Sequence, residues 1–387
     1  MKGKNKMKRT LSLILAAVMT SVSVCLSSCN KKISFDTAIE LISEIELKKE
    51  LDCEVLLTVE GVPVSAAAVR YANLAVRQYG GITDNADEET LAAINKEVDD
   101  FYRLESAIIL LNRKYNLFLT EEEFQTEIVD YIKSGREMHA NQYEIILDEY
   151  MFQTPYFYAE NTVHNYGYGM LYEHLYGVDG VSEKKSEVYS QTLAQLQQND
   201  YIRAKHILVS FPEDIEKDAE GNVVESAKAE TLAKANEVLE KVKAGKNFDK
   251  LIKKYGEDPG MEAYPHGYYF TKGEMVPAFE ESAYSLEIGE TSGLVETPYG
   301  YHIILKLDMD DDALYTTDMY MENAYNALRN FLVEISADYK IEYADNYQTR
   351  VDQMVAEYAA RVKAEAQAQA ELQAQAEAQA KAEATGK

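Results

Sequence analysis

Lys205-His-Ile-Leu-Val209 and, much later in the chain, Tyr299-Gly-Tyr-His-Ile-Ile304 are the stretches on which the fold turns. The first lies within Arg203-Ala-Lys-His-Ile-Leu-Val-Ser210, which reads as a strand. The second belongs to a hairpin: Thr291 to Thr297, a turn at Tyr299-Gly300, then Tyr301 to Leu307. Side chains alternate across a strand, so His206 shares a face with Leu208, and His302 shares one with Ile304. A buried imidazole needs partners for both ring nitrogens. If the two strands are neighbours, facing imidazoles with a carboxylate and a hydroxyl nearby satisfy one another. Asp258 and Thr297 can supply those groups.

Helical patterns fill the space between these strands. An acidic loop with a Gly221-Asn222 turn leads into an amphipathic helix carrying Leu232, Ala235, Val238, Leu239 and Val242, stopped by Gly245. A short helix follows from Asn247, then Gly267-Tyr-Tyr-Phe270, then a short helix from Pro277. Met275 and Phe279, four apart, fall on one face of that helix or its entry turn. A thioether and a ring there make a deformable apolar slot of about the size of a pyrrolidine. Residues 201–307 therefore read as a compact α+β unit, an antiparallel sheet with helices packed on it.

The flanks read differently. Val55 to Val64 is two short strands around Glu60-Gly61, and Ser65 to about Asn199 is helical. Thr120 with Glu123 makes a capping box, and another helix starts near Ser182. The tyrosines between Tyr143 and Tyr176 read as helical core rather than a client-binding surface. After Asp308 come a helix over Met319 to Ile335, a short strand at Lys340 to Tyr343, and a helical stripe of Val351, Met354, Val355 and Tyr358. Residues 308–362 are expected to complete a helical domain begun at 55–200. Residues 363–387, nearly all Ala, Gln, Glu and Lys, read as a solvated, fraying helix or a disordered low-complexity tail.

The N-terminus looks like a targeting segment. Lys2, Lys4, Lys6, Lys8 and Arg9 precede the apolar stretch Leu11 to Val24 and the small-residue site Leu26-Ser-Ser-Cys29. The stretch is too short for a comfortable membrane span. Residues 1–28 are taken as a signal peptide and 29–54 as a spacer, in which Ile39, Ile42 and Ile45 recur at helical spacing. Loss of the five cations in residues 1–28 takes the net charge from −27 to −32. So acidic a chain repels phosphate backbones, which excludes nucleic acid as an expected partner. If Cys29 is lipidated, Cys25 leaves with the signal and only Cys53 remains as a thiol, too few for an internal disulfide.

Taken together, Lys205–Val209, Tyr255-Gly-Glu-Asp-Pro259, Gly273-Glu-Met-Val-Pro-Ala-Phe-Glu280, Leu286-Glu-Ile-Gly-Glu290 and Tyr299–Ile304 resemble the parvulin family of peptidyl-prolyl isomerases in order and spacing. The resemblance implies catalytic-site roles for His206, Asp258, Thr297 and His302, and a proline pocket from Met275 and Phe279 with Phe270 as a third wall. Leu26–Cys29 resembles a bacterial lipobox, with Cys29 the lipidated residue. With Val59-Glu-Gly-Val-Pro-Val64 ahead of a long helical region, the whole arrangement is similar to PrsA-type foldase lipoproteins. That resemblance implies lipid anchoring at the extracytoplasmic face of the cell membrane, with unfolded or partly folded exported proteins containing X-Pro bonds as partners.

Two departures stand out: Pro265-His-Gly-Tyr268 replaces the family's Gly-Asp-Leu-Gly, leaving Tyr268 or Tyr269 as the candidates for the place of the pocket Leu, and Tyr299 replaces a frequent Ser. No cofactor is expected, since the reaction breaks no covalent bond. A metal centre from His206, His266, His302 and Asp258 is not expected either, because no short ligand pair such as H-x-x-x-H occurs. Competing readings are a parvulin domain that binds without catalysing and a ligand-binding or structural surface lipoprotein.

Overall fold

In the computed structural model, which describes residues 32–45, 53–80, 86–139, 154–180, 183–216 and 223–385 with isolated positions at 142, 147 and 219, the chain divides into two compact units. One comprises residues up to Tyr172 and from Leu328 onward; the other is Glu173–Ala327. The signal-like segment with Cys29, the Gly221-Asn222 turn and most of residues 140–153 lie outside the described residues.

The elements in chain order are α1 (Phe35–Ile45), β1 (Val55–Val59), β2 (Val62–Ser65), α2 (Ala66–Tyr79) and α3 (Glu88–Lys114). Next is α4, which starts at Glu121–Glu123 and runs through a π-helical turn, Phe124–Asp130, into Tyr131–His139. There follow α5 (Pro155–Tyr176), α6 (Glu183–Gln198), β3 (Ile202–Ser210), α7 (Ala229–Lys243), α8 (Phe248–Tyr255), α9 (Gly260–Ala263), β4 (Tyr268–Phe270) and α10 (Pro277–Ser285). The remainder is β5 (Val295–Thr297), β6 (Gly300–Leu307), α11 (Asp318–Ser336), β7 (Ile341–Tyr343) and α12 (Tyr347–Thr385).

In the first unit, β1 and β2 are joined by a two-residue turn with positive φ at both Glu60 (49°) and Gly61 (78°), the turn that matches hairpin twist. β7 pairs with the other edge of β1, giving an antiparallel sheet of order β2-β1-β7 that joins the two ends of the chain. Leu56, Leu57, Val64, Tyr102 and Phe157 are buried in one core with Val351 of α12. Cys53 packs, half-buried, against that core. The Thr120 capping box forms in both directions: Thr120 N–H donates to Glu123 Oε2 (2.6 Å) and Glu123 N–H to Thr120 Oγ1 (3.1 Å).

The expected spacer is partly core. Phe35, Ala38 and Ile42 of α1 are buried together with Ile109, Leu119 and Phe124. Ile33 exchanges backbone hydrogen bonds with Leu119 at 2.8 and 3.0 Å. The physical reason is that the apolar stripe of α1 includes Phe35 and Ala38 as well as the isoleucines, wide enough to seat a helix rather than only start one. Of the tyrosine-rich stretch, Tyr156 and Tyr176 are buried, and Tyr158 and Tyr166 pack partly buried against this second core. Among the described residues no helix is long and apolar enough to cross a membrane. Residues 363–376 are helical and almost wholly exposed, as helix formers without an apolar face should be.

The second unit is built on an antiparallel sheet of order β4-β3-β6-β5. One face carries Ile207, Val209, Tyr301 and Ile303 against α7 and α8. The other carries Ala204 and Ile304 against Phe270 and α10. Helix α7 ends in a paired motif: Lys246 N–H donates to the Lys241 carbonyl (3.2 Å) and Gly245 N–H to the Val242 carbonyl (2.9 Å), with Gly245 at φ 72°. Strand β5 is shorter than the run expected from Thr291. Ser292 Oγ accepts the Ile304 amide at 2.8 Å, replacing a ladder bond, and only Thr291 forms an isolated bridge, to Leu305.

Gly300, at φ 145°, lets β6 approach β3 closely; a Cβ there would stand 2.2 Å from the Val209 carbonyl oxygen. Gly300→Ala is therefore expected to destabilise this unit by about 2–4 kcal/mol, combining backbone strain with a contact that cannot relax. Urea denaturation of the second unit checks it, and an unchanged midpoint would disprove the close approach.

Candidate active site

The site lies on the face of the second sheet that carries α10. In the β3–β6 register His206 stands opposite Ile304, and His302 opposite Leu208, so the two imidazoles meet diagonally. Their Nδ1 atoms are 3.0 Å apart, and both rings are buried. His206 Nε2 is 2.7 Å from Asp258 Oδ2, and His302 Nε2 is 2.8 Å from Thr297 Oγ1. The four residues read from sequence thus form one hydrogen-bonded chain, Asp258–His206–His302–Thr297.

The loop carrying Asp258 is held by its neighbour. Glu257 N–H donates to the Leu208 carbonyl (2.9 Å), and Glu257 Oε2 accepts from the Ser210 amide (2.8 Å) and hydroxyl (2.6 Å). Asp258 itself accepts from His206, from the Tyr268 hydroxyl (2.8 Å) and from the Gly260 amide (3.1 Å). The His206 bond, helped by Tyr268 and Gly260 against the cost of burial, holds the Asp258 carboxyl down at about 2. Burial, with His206 alongside, lowers His302 to about 4, so it is neutral at physiological pH.

These protonation states set the direction of the chain at its Asp258 end. An ionised Asp258 only accepts, so His206 Nε2 carries a proton. The Nδ1–Nδ1 contact needs one donor and one acceptor, and the Thr297 hydroxyl, which can donate or accept, serves His302 Nε2 in either sense. Thr297 Oγ1 in turn accepts from the Tyr299 amide at 3.2 Å. Every polar atom of the buried chain has a partner.

The Phe279 ring stands nearly perpendicular to both imidazoles, with centroids 5.2 Å from His206 and 5.3 Å from His302. Met275 is half-buried in the same apolar cluster. Phe270 lies behind Phe279, 5.9 Å between centroids, and is fully buried, making it a floor rather than an open wall. His266 takes no part in the imidazole chain; its backbone carbonyl accepts from Arg203 Nε at 2.8 Å. Tyr268, considered in the sequence only as a pocket substitute, is the polar residue that sequence reasoning missed. Its spacing of two from Phe270 put it on the site face, and that was the available signal. Among the described residues no group of His, Cys, Asp and Glu could hold a metal ion.

Residues 189–309 match the family of the PPIC-type peptidyl-prolyl isomerase domain. The chain carries a parvulin-type isomerase domain. Over partial lengths it is also similar to curated proteins named foldase protein PrsA. The one from Halalkalibacterium halodurans is 38% identical over 136 residues, 35% of this chain and 34% of that protein. The one from Geobacillus kaustophilus is 35% identical over 163 residues, 42% of this chain and 47% of that protein. The chain therefore spans between a third and a half of the length of these relatives. The crystal structure of PrsA from Bacillus subtilis aligns over 79% of this chain and 92% of its own, at 19% identity and a TM-score of 0.27. The isomerase domain is set between helical regions, α6 before it and α11 after it, in a mostly helical α+β chain.

Proposed function

We propose that the chain is a peptidyl-prolyl cis/trans isomerase and foldase that assists exported proteins at the outer face of the cytoplasmic membrane. Residues 201–307 are its catalytic body, and 55–200 with 308–362 its chaperone-like part. The observation that carries the reading is the Asp258–His206–His302–Thr297 chain, with Phe279 set against both imidazoles.

Rotation about an X-Pro bond is opposed by a barrier of ~18–20 kcal/mol arising from C–N double-bond character. Without a catalyst the exchange takes roughly 10–100 s. A site that seats the proline ring on Met275 and Phe279, and is complementary to the twisted amide, lowers that barrier by differential binding. A neutral, fully bonded His302 suits a positioning and electrostatic part better than that of a nucleophile or proton shuttle. Acceleration of cis/trans exchange in an Ala-Pro peptide by the purified protein tests the reading. Peptide binding without acceleration would instead favour a chaperone whose isomerase domain only holds its clients.

Membrane anchoring rests on the cationic, apolar, Leu-Ser-Ser-Cys order of the first 29 residues. Cys29→Ala is expected to abolish incorporation of labelled fatty acid and to release the protein from the membrane fraction. Undiminished lipid labelling of that variant would remove the anchor from the proposal.

A further inference from the structure

Within the second unit lies a groove of about 900 Å³ bordered by Tyr264, His266, Tyr268, Glu274, Asp318 and Glu322, together with neighbouring polar and apolar residues. One of its walls is also a wall of the imidazole site. Tyr268 faces the groove, while its hydroxyl holds Asp258 and its ring lies 5.9 Å from that of His206. The rings form a ladder from the proline slot outward: Phe279 to His206 at 5.2 Å, His206 to Tyr268 at 5.9 Å, Tyr268 to Tyr264 at 5.5 Å. Tyr264 is 56% exposed at the outer end, so the ladder opens to solvent there.

The charges of the groove are one-sided. Among the described residues its lining holds the carboxylates of Glu274, Asp318 and Glu322 and no Lys or Arg. Glu274 is engaged, accepting from the Thr271 amide at 2.9 Å and bonding the Tyr201 hydroxyl. Asp318 and Glu322 are both exposed and stand four residues apart on α11, where like charges repel. Among the described residues neither is paired with a cation. A cationic side chain laid along the groove would relieve that repulsion, and its aliphatic stem would lie on the tyrosine rings.

We propose that this groove is an extended-peptide subsite that selects clients carrying Lys or Arg a few residues from the isomerised proline. The proposal rests on the isomerase reading and adds the class of segment that the site prefers. An extended chain advances ~3.3 Å per residue, so the ring ladder corresponds to about five residues. The preferred cation therefore sits within about five positions of the proline, beyond the residue immediately preceding it.

The test compares three peptides with an identical Ala-Pro core. They bear Lys-Lys, Ala-Ala or Glu-Glu four and five residues from the proline, on one side or the other. The full protein is compared with the Asp318→Asn/Glu322→Gln variant, in which no residue of the imidazole chain or slot is altered. The Lys-Lys peptide is expected to show roughly fivefold higher kcat/KM than the Ala-Ala peptide at low salt, from two exposed ion pairs of ordinary strength. The Glu-Glu peptide should be the poorest. In the variant the advantage disappears while turnover of the Ala-Ala peptide is unchanged.

A Lys-Lys advantage that survives in the variant would assign it to the general negative field of the protein and overturn the groove. Fluorescence anisotropy with the same labelled peptides separates the two readings. If no peptide is turned over but Lys-Lys binding still depends on Asp318 and Glu322, the isomerase reading fails and the groove stands. Peptide affinity that falls as protein concentration rises would give the groove to a second copy of the chain and overturn the proposal.

Discussion

Asp258→Ala is expected to lower kcat/KM for an Ala-Pro peptide by about 10- to 100-fold in protein that remains folded. The carboxylate accepts from His206 Nε2, the Tyr268 hydroxyl and the Gly260 amide, and its pKa of about 2 keeps it ionised throughout the working range. Hydrogen bonds to a charged group are worth ~1.5–3 kcal/mol each, and ~1.4 kcal/mol is a factor of ten in rate. Removing it leaves His206 Nε2 and the Tyr268 hydroxyl without their acceptor, and the imidazole chain loses the group that fixes its tautomers. Asp258→Asn keeps the shape and one acceptor oxygen and should fall between Ala and the parent. His302→Ala breaks the chain at its middle and should act in the same direction, whereas Met275→Ala should mainly raise KM. Parent-like rates in a folded Asp258→Ala/His302→Ala double variant would remove this site from the reaction.

How much of this was legible in the sequence follows from which contacts are local. The alternation of His206 with Leu208, and of His302 with Ile304, put both imidazoles on predictable faces, and the sheet pairs those strands. The diagonal offset between them was not readable, because register depends on the Gly300 approach to Val209 and on the Ser292 side chain that takes the Ile304 amide. Thr297 and Asp258 could be named because a hydroxyl and a carboxylate can satisfy a buried imidazole pair and because both match the polar positions that the parvulin resemblance implies. Spacing placed Tyr268 on the face of Phe270, but the bond of its hydroxyl to Asp258 follows only from the pairing of β4 with Ala204 and Ile202 of β3. The spacer reading failed for a similar reason: the groups that bury Phe35 and Ile33 come from Leu119 and Phe124, far along the chain.

The least legible feature was a buried charge cluster in the first unit, and His164→Ala is expected to destabilise that unit by about 3–5 kcal/mol. His164 Nδ1 is hydrogen-bonded to Glu105, and Ser65 Oγ donates to the buried Glu160 Oε2 at 2.7 Å. Glu160 and His164 share a face of α5 four residues apart, but Glu105 comes from α3, so sequence spacing hides the group. Burial opposes the charged form of His164, yet Glu105, Glu160 and Asp36 together raise its pKa above the ordinary value. Burial raises that of Glu160 despite His164 and Ser65. Deleting the imidazole leaves Glu105 without its partner beside the buried Glu160, around a small cavity that also borders the unpartnered Ser106 hydroxyl.

The pH dependence has a definite sign. Both groups bind protons more tightly folded than unfolded, so each contributes stability below its unfolded pKa, roughly 4.3 for Glu and 6.5 for His, and loses it as pH rises through the raised value. The first unit should therefore weaken as pH climbs above about 6.5, and His164→Ala should remove that part of the slope. The second unit should behave oppositely. His302, lowered to about 4, costs it stability as pH falls from about 6.5 towards that value. Hydrogen exchange, corrected for intrinsic rates, should show Ile303 and Ile304 gaining protection from pH 5 to 7 while Ile108 and Ile109 lose it. Parallel changes in both sets, or a flat response in the first unit that His164→Ala leaves unaltered, would mean that the buried cluster is not the titrating group.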